Sequence, residues 1–385
     1  MSGLLMVTKD AAMFNNFKPV ADALCKKNVQ FSVVAEGVSM KMWQDAGYQI
    51  YGGLPQGGTY DPNTLIRHDI NPEYVLEELR PQCVFVGLSR PLSLEEKFAL
   101  AVENHNSFPG AKRIYLGYIE DLWAAHMRTR ANLDFICALD KFGAEHVRKL
   151  RPSTKVFITG TPSTDFLVQI QPNSAVGSMV GEFSHAVLLL GQDESTTPMI
   201  EGLLAALESR GDYILIPRFH PKRLLVSEAT IAAERDQQKR EEAQKLLTNF
   251  NYWRGLLSGV KRGCVLWVGM EVATMHELML SSHVVVSTSS TTTLRDAAIL
   301  NRVAVWWYSD LGVESLKKES RGEVDRYPLV NEGCIVEVAT PQEYLDSVPA
   351  YGSEKYRKIQ EVQRRKLGGG GATEKVVDAI MSYLA

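Results

Sequence analysis

Cysteine is sparse in this chain. Cys25, Cys83, Cys137, Cys264 and Cys334 lie far apart, with no Cys-x-x-Cys pair and no zinc-like spacing. This excludes a disulfide scaffold and a cysteine-bound zinc. Cys83, Cys137 and Cys264 sit in apolar runs and read as buried thiols of a reducing compartment. No apolar run approaches the ~18 residues of a bilayer span, so no transmembrane segment is expected. The opening Met1-Ser2-Gly3-Leu4-Leu5-Met6-Val7 is too short for a signal-peptide core. A cytoplasmic protein is expected, with peripheral membrane contact left open. A dominant charge is also lacking: 42 basic residues face 45 acidic ones, for a net −3. No whole-molecule field would draw in nucleic acid, although a local basic patch stays open. Several catalytic signatures are missing: Asp-x-Asp, His-Glu-x-x-His, the GxxxxGK[ST] phosphate loop and Gly-x-Ser-x-Gly. A metal-bridged diphosphate site, a zinc hydrolase, a P-loop NTPase and a serine hydrolase all lose support, and no metal is expected.

What is present reads as a folded α/β chain. Its 385 residues suggest two or three lobes at about 150 residues each. The 45% hydrophobic and 23% charged content excludes a largely disordered chain. In the first half, strands are expected at 4–7, 31–35, 48–51, 83–86 and 113–116, with helices between them. The second half repeats the rhythm, with strands at 186–190, 213–216, 265–268, 284–286, 304–307 and 334–336. A charged helix is expected over 232–247. Strands and helices alternating at this spacing argue for βαβ units and parallel sheets. The weakly periodic stretch 169–184 reads as a linker between residues 1–168 and residues 185–366. Residues 367–385 read as a closing helix that packs back on the first domain. The expected fold is α/β, with two Rossmann-like doubly wound domains facing a cleft. In such sheets ligands sit beyond the carboxyl ends of the strands.

Three stretches carry candidate chemistry. The first is Val284 to Ala298, where a buried strand runs into seven consecutive Ser/Thr residues, Ser287 to Thr293, and then a helix. Unpaired N–H groups and the dipole at a helix start attract anions. A single Ser or Thr suffices for capping. Ser289, Ser290, Thr291 and Thr292 therefore read as a phosphate cradle, with Arg295 one turn in. The second stretch is Ile214 to Arg223, where a strand delivers Arg218, His220 and Lys222 into one loop. Three cations within a few residues suit a diphosphate. Pro221 keeps His220 out of helical geometry. The third is Tyr115 to Trp123, in which Glu120 and Asp121 follow a strand. Either carboxylate could take a proton from an acceptor hydroxyl, or simply favour the start of a helix over 122–130. Gly191 and Gln192, after the first strand of the second half, stand where a ligand would approach. Trp267 to Glu271 follows another strand and is expected near a base or ribose. His126 and His276 read as structural.

In order, these motifs resemble the GT-B glycosyltransferase superfamily. Phe17-Lys18-Pro19-Val20-Ala21-Asp22-Ala23-Leu24 with Val33-Val34-Ala35 looks like its opening strand–helix–strand. Leu79 to Gly87 looks like its "rPDvv" strand, and Gly160 to Asp165 resembles the "GxPxxD" segment that closes the first domain. His220-Pro221 and Ser289-Ser290-Thr291 resemble the HP and SS/T motifs of bacterial sialyltransferases and CDP-glycerol glycerophosphotransferases. Gly371 to Asp378 looks like the closing helix. Ser287 to Val305 also resembles the "SGTxxLEAxxxGxP" element of UDP-sugar enzymes. There Ser290 replaces the Gly, Asp296 the Glu, and Asn301-Arg302-Val303 the Gly-x-Pro.

The resemblance implies a metal-independent transfer of sugar from a nucleotide-activated donor, UDP- or CMP-/CDP-linked, to an acceptor hydroxyl. The acceptor class stays open between a sugar, a lipid-linked sugar or another hydroxyl, and no cofactor is implied. His220 would contact the donor phosphate or nucleotide, and Ser289, Ser290 and Thr291 would hold the phosphate. The sialyltransferase base sits in an acidic pair followed by Gly, whereas Leu122 follows Glu120-Asp121 here. A UDP-N-acetylglucosamine 2-epimerase-like enzyme shares the fold and is the alternative. A nucleic-acid glucosyltransferase and a non-catalytic nucleotide-sugar binder complete the set.

Overall fold

The computed structural model describes residues 3–51, 70–87, 93–121, 123–124, 126, 129–191, 195–219, 226–260, 264–269, 271–288, 292–320, 322–368 and 370–384. The chain divides into two compact units. Unit 1 is Met1–Phe166, Glu319–Val324 and Gly370–Ala385, and unit 2 is Leu167–Lys318 and Asp325–Gly369.

Unit 1 holds six parallel strands: β1 (Leu4–Thr8), β2 (Phe31–Ala35), β3 (Cys83–Val86), β4 (Tyr115–Ile119), β5 (Phe135–Ala138) and β6 (Lys155–Ile158). Their order is β2-β1-β3-β4-β5-β6. Both sheet faces are covered, which explains why β1 reads as an unbroken apolar run. Leu5 and Val7 pack with Val75, Phe98, Val102 and Val147 of the helices on one face. Leu4 and Met6 pack on the other, with Phe17, Val20 and Leu24 of helix Ala11–Lys26 and with Val376, Val377 and Ile380. Those last three belong to helix Ala372–Met381, which begins at Gly371 in the left-handed region, φ +73°. Its amides are capped from afar: Asp165 accepts from Ala372 N at 3.0 Å and from Thr373 N at 2.7 Å.

Unit 2 holds β7 (His185–Gly191), β8 (Tyr213–Phe219), β9 (Val284–Ser287), β10 (Val303–Trp307) and β11 (Ile335–Val338), all parallel, in the order β11-β10-β9-β7-β8. Val265 bridges Leu215 on the outer side of β8. Counting that bridge as a strand, the sequence of neighbours is the 3-2-1-4-5-6 of the dinucleotide-binding fold. The described residues thus carry two Rossmann-like doubly wound sheets, as the strand–helix alternation implies. None of their helices is long and apolar enough to cross a membrane.

Local departures have local causes. Residues 48–51 make no strand, and only Tyr51 N reaches the edge of β2, at Val33 O. Residues 265–268 contribute one bridge rather than a strand. The expected helix over 232–247 is interrupted. It forms as Glu228–Ala233 and Gln237–Ser258, because Asp236 accepts from Lys239 N and starts a new helix. Within 169–184, Asn173 caps a short helix, Ser174–Val180. No α-helix begins among the described residues of 122–130, where Ala124 sits at φ +59°.

His185 opens β7 with only 2% exposure, and its Nε2 lies 2.9 Å from the Tyr344 hydroxyl. Burial, aided by the nearby Arg210 cation, pushes its pKa from 6.5 down to about 3. Below pH 6.5 the unfolded chain takes up a proton that the folded chain refuses, so stability falls with pH. About 2 kcal/mol should be lost from this group between pH 7 and pH 5. Urea unfolding followed at both pH values should show a smaller difference for His185→Gln than for the wild type. An equal difference would contradict this assignment.

Candidate active site

In unit 2 the crossovers leave β7 and β9 in opposite directions, so the carboxyl ends of these neighbours flank a topological switch point. Gly191 ends β7, and a Cβ there would lie 2.5 Å from the Phe219 ring and 2.8 Å from Thr196 Cγ2. Ser195 then immediately precedes helix Thr196–Arg210, and Thr288 follows β9. The Ser195 hydroxyl donates to Thr288 Oγ1 at 2.7 Å, tying the two loops across the switch point. Both side chains are buried. The Thr288 carbonyl accepts from the indole of Trp306 on β10 at 2.9 Å. Gly312 crowds the same carbonyl, since a Cβ there would lie 2.7 Å from it. Thr288 is thus anchored through its side chain and its carbonyl.

Thr292 is exposed at the first position of helix Thr292–Ile299, and Arg295 is buried one turn in. Asp296 lies 3.1 Å from Nε2 of His276. Arg218, near the end of β8, directs its guanidinium at two backbone carbonyls, Val268 O at 3.1 Å and Ala273 O at 3.3 Å. It therefore orders the segment after Val265 rather than pointing a free fork outward. Trp267 in that segment is half exposed, with its ring centre 6.1 Å from that of Phe219. Gln192, His220, Lys222, Ser289, Ser290 and Thr291 lie outside the described residues.

In unit 1 the chemistry gathers beyond β4 and β5. Glu120 directly follows β4 and is fully buried, and its Oε1 lies 2.6 Å from Nδ1 of His126, also fully buried. So short a contact joins the carboxyl group and the imidazole directly in one buried hydrogen bond. The other oxygen, Oε2, has no hydrogen-bond partner among the described residues and packs against Gly143, where a Cβ would come within 2.9 Å of it. Asp140, after β5, accepts from Gly143 N at 2.8 Å and from the Trp123 indole at 2.8 Å. Asp140 thereby caps the helix Lys141–Leu150 that carries Gly143 and His146. Arg151 donates to the carbonyls of His126, Thr129 and Ala131 and holds the His126 loop in place. Asp121 is half buried beside Glu120.

The adjacent carboxylates are visible in the sequence. Their surroundings are not: His126, Asp140, Gly143 and His146 share no motif spacing with Glu120. Ser195 and Thr288 are likewise 93 residues apart. Only the Ser/Thr run gives any hint of that bridge.

No protein-family model matches the sequence, and no curated protein matches it. Solved structures do. The S. aureus MnaA–UDP co-structure is 16% identical with a TM-score of 0.63, matching 100% of this chain and 97% of that one. UDP-GlcNAc 2-epimerase from Neisseria meningitidis bound to UDP-GlcNAc is 17% identical with a TM-score of 0.60, over 98% of this chain and 99% of that one. A glycosyltransferase from Rickettsia africae is 10% identical with a TM-score of 0.57, over 99% and 97%. Along essentially its whole length, then, the chain has the GT-B fold of two Rossmann-like domains that these proteins share.

Proposed function

We propose that this protein is an enzyme acting on a nucleotide-activated sugar, and that it transfers the sugar to an acceptor hydroxyl. The carrying observation is the Ser195–Thr288 bridge at the switch point of unit 2, with Thr292 opening a helix a few residues further along the Ser/Thr run. Ser289, Ser290, Thr291 and Thr292 would present hydroxyls and amides to the phosphates. His220, Lys222 and Arg295 would offset their charge as the leaving group departs. Arg218 would act indirectly, by ordering the Trp267 segment against the base or ribose. A UDP donor is favoured by the structures of this fold that hold UDP and UDP-GlcNAc. No metal or other cofactor enters this reading. Glu120, polarised by His126, or its neighbour Asp121 would take the acceptor proton.

A second reading, sugar epimerisation, is favoured by one specific observation. Glu120, His126 and Asp140 gather at the carboxyl ends of β4 and β5, and an acid–base cluster of that kind suits proton removal from carbon. Several solved structures of this fold are UDP-GlcNAc 2-epimerases, which favours the same reading.

Incubation with UDP-GlcNAc separates the two. UDP release that depends on an added acceptor supports transfer. A changed sugar without any acceptor supports epimerisation. A thermal-shift panel of UDP, CMP, CDP, GDP and ADP, with and without EDTA, checks the underlying site. Saturation at a hundredfold over Kd should add about 2.7 kcal/mol to stability and raise the midpoint, EDTA or not. The absence of any shift across the panel would overturn both readings.

A further inference from the structure

The buried Glu120–His126 pair does not end at His126. The His126 ring lies 6.3 Å, centre to centre, from that of His146, at an interplanar angle of 63°. Nε2 of His126 and Nδ1 of His146 are both buried and have no hydrogen-bond partner among the described residues. On its far side, Nε2 of His146 lies 3.4 Å from Oε2 of Glu323. Exposure rises along the series: zero at Glu120 and His126, 11% for the His146 side chain and 33% for that of Glu323. Phe142 stacks on His146 and fixes its ring. Glu323 is delivered by Glu319–Val324, a segment of unit 1 that the chain inserts between two stretches of unit 2. Ser320 pins that segment by accepting from Val324 N at 2.9 Å.

We propose that Glu120, His126, His146 and Glu323 form a proton path from the buried carboxylate to the surface, with one water bridging the two imidazoles. It rests on the reading of Glu120 as an acid–base group. Each ring has one nitrogen in contact with a carboxylate and one buried without a hydrogen-bond partner among the described residues, so each can accept a proton at one and release a proton at the other. The Glu120 carboxyl proton passes to His126 Nδ1, as the proton on Nε2 passes through the water to His146 Nδ1. The proton on His146 Nε2 then passes to the Glu323 carboxylate. Neither ring gains net charge. The end state leaves His126 Nδ1–H donating to an ionised Glu120, and the reverse sequence reloads it. His146 favours its neutral form because burial lowers its pKa, and the neighbouring His126 and Lys149 act in the same sense. Glu323 and Glu120 act in the opposite sense. A neutral, amphoteric ring is what such a path needs. Other charged groups near the pair include Asp121, Asp140, which accepts from Trp123, and Arg151, which donates to backbone carbonyls.

His146→Gln and Glu323→Gln test this without touching the buried pair. Each should lower kcat about tenfold while leaving KM within about twofold, a modest share of what general acid–base catalysis contributes. The double variant should lose no more than the worse single one. Imidazole in the buffer should restore His146→Gly. Unchanged kcat in both variants, or additive losses without imidazole rescue, would overturn the path. A second readout is independent of turnover. In 15N spectra of the full chain, the His126 ring signals should shift in His146→Gln and Glu323→Gln. Identical His126 signals would overturn the path, even if the protein processed sugars as proposed. Altered signals in a protein that turns over no nucleotide sugar would keep the path and discard the assigned reaction.

Discussion

Glu120→Gln should lower turnover by about 10²–10⁴-fold, the range that a positioned acid–base group supplies. The amide has the carboxylate's shape and can still accept from Nδ1 of His126, so the short contact need not break. Truncation is different. Removing one partner of a buried hydrogen bond leaves the other unsatisfied, which costs about 1–3 kcal/mol. Glu120→Ala would therefore confuse instability with lost chemistry. The diagnostic result for Glu120→Gln is a collapsed kcat beside an unchanged nucleotide thermal shift, since the groups proposed to hold nucleotide all belong to unit 2. If Asp121 is the base instead, Asp121→Asn shows the collapse and Glu120→Gln retains most of the rate.

Gly312→Val should be the most damaging single change to nucleotide binding. The glycine sits in the first turn of helix Asp310–Glu319, at an ordinary backbone angle, so strain is not the issue. Space is. A Cβ would stand 2.7 Å from the Thr288 carbonyl, itself held by the Trp306 indole and joined through the Thr288 side chain to Ser195. Either the helix or Thr288 must move. Overpacking of this kind costs about 1–3 kcal/mol. If Thr288 moves, its bridge to Ser195, on which the proposed phosphate site rests, is disturbed. The expected outcome is a midpoint lowered by several degrees and at least tenfold weaker UDP binding by calorimetry. Gly312→Ala should fall between this variant and the wild type. Full UDP affinity in Gly312→Val would show that the turn does not hold the nucleotide.

Much of the architecture was legible from residue pattern alone. Val187, Leu188 and Leu189 announce a strand covered on both faces, and β7 is buried along its whole length. The Ser/Thr run after β9 draws attention to Thr288, whose hydroxyl meets Ser195. The failures were local contests that pattern cannot score. Asp236 is both a charged helix residue and a helix cap, and capping Lys239 won. Residues 265–268 look like a β-strand, yet Arg218 draws the Val268 carbonyl out of any ladder. The acid–base cluster was half legible. Two adjacent carboxylates stand out in a sequence, whereas a histidine becomes a partner only when a loop folds back, and the Arg151 bonds that fold it leave no periodic trace.

The cap that Asp165 places on helix Ala372–Met381 has a consequence for how the chain is made. Val376, Val377 and Ile380 fill one face of the first sheet, but they emerge from the ribosome only after all of unit 2. During synthesis, β1 and helix Ala11–Lys26 wait with an uncovered apolar seam while some two hundred residues are added. A nascent chain in that condition is open to aggregation and to chaperone capture. Unit 2 ends at Gly369, so all of its residues are made before the last helix. Order of translation and order of completion are therefore reversed for the first-made part of the chain.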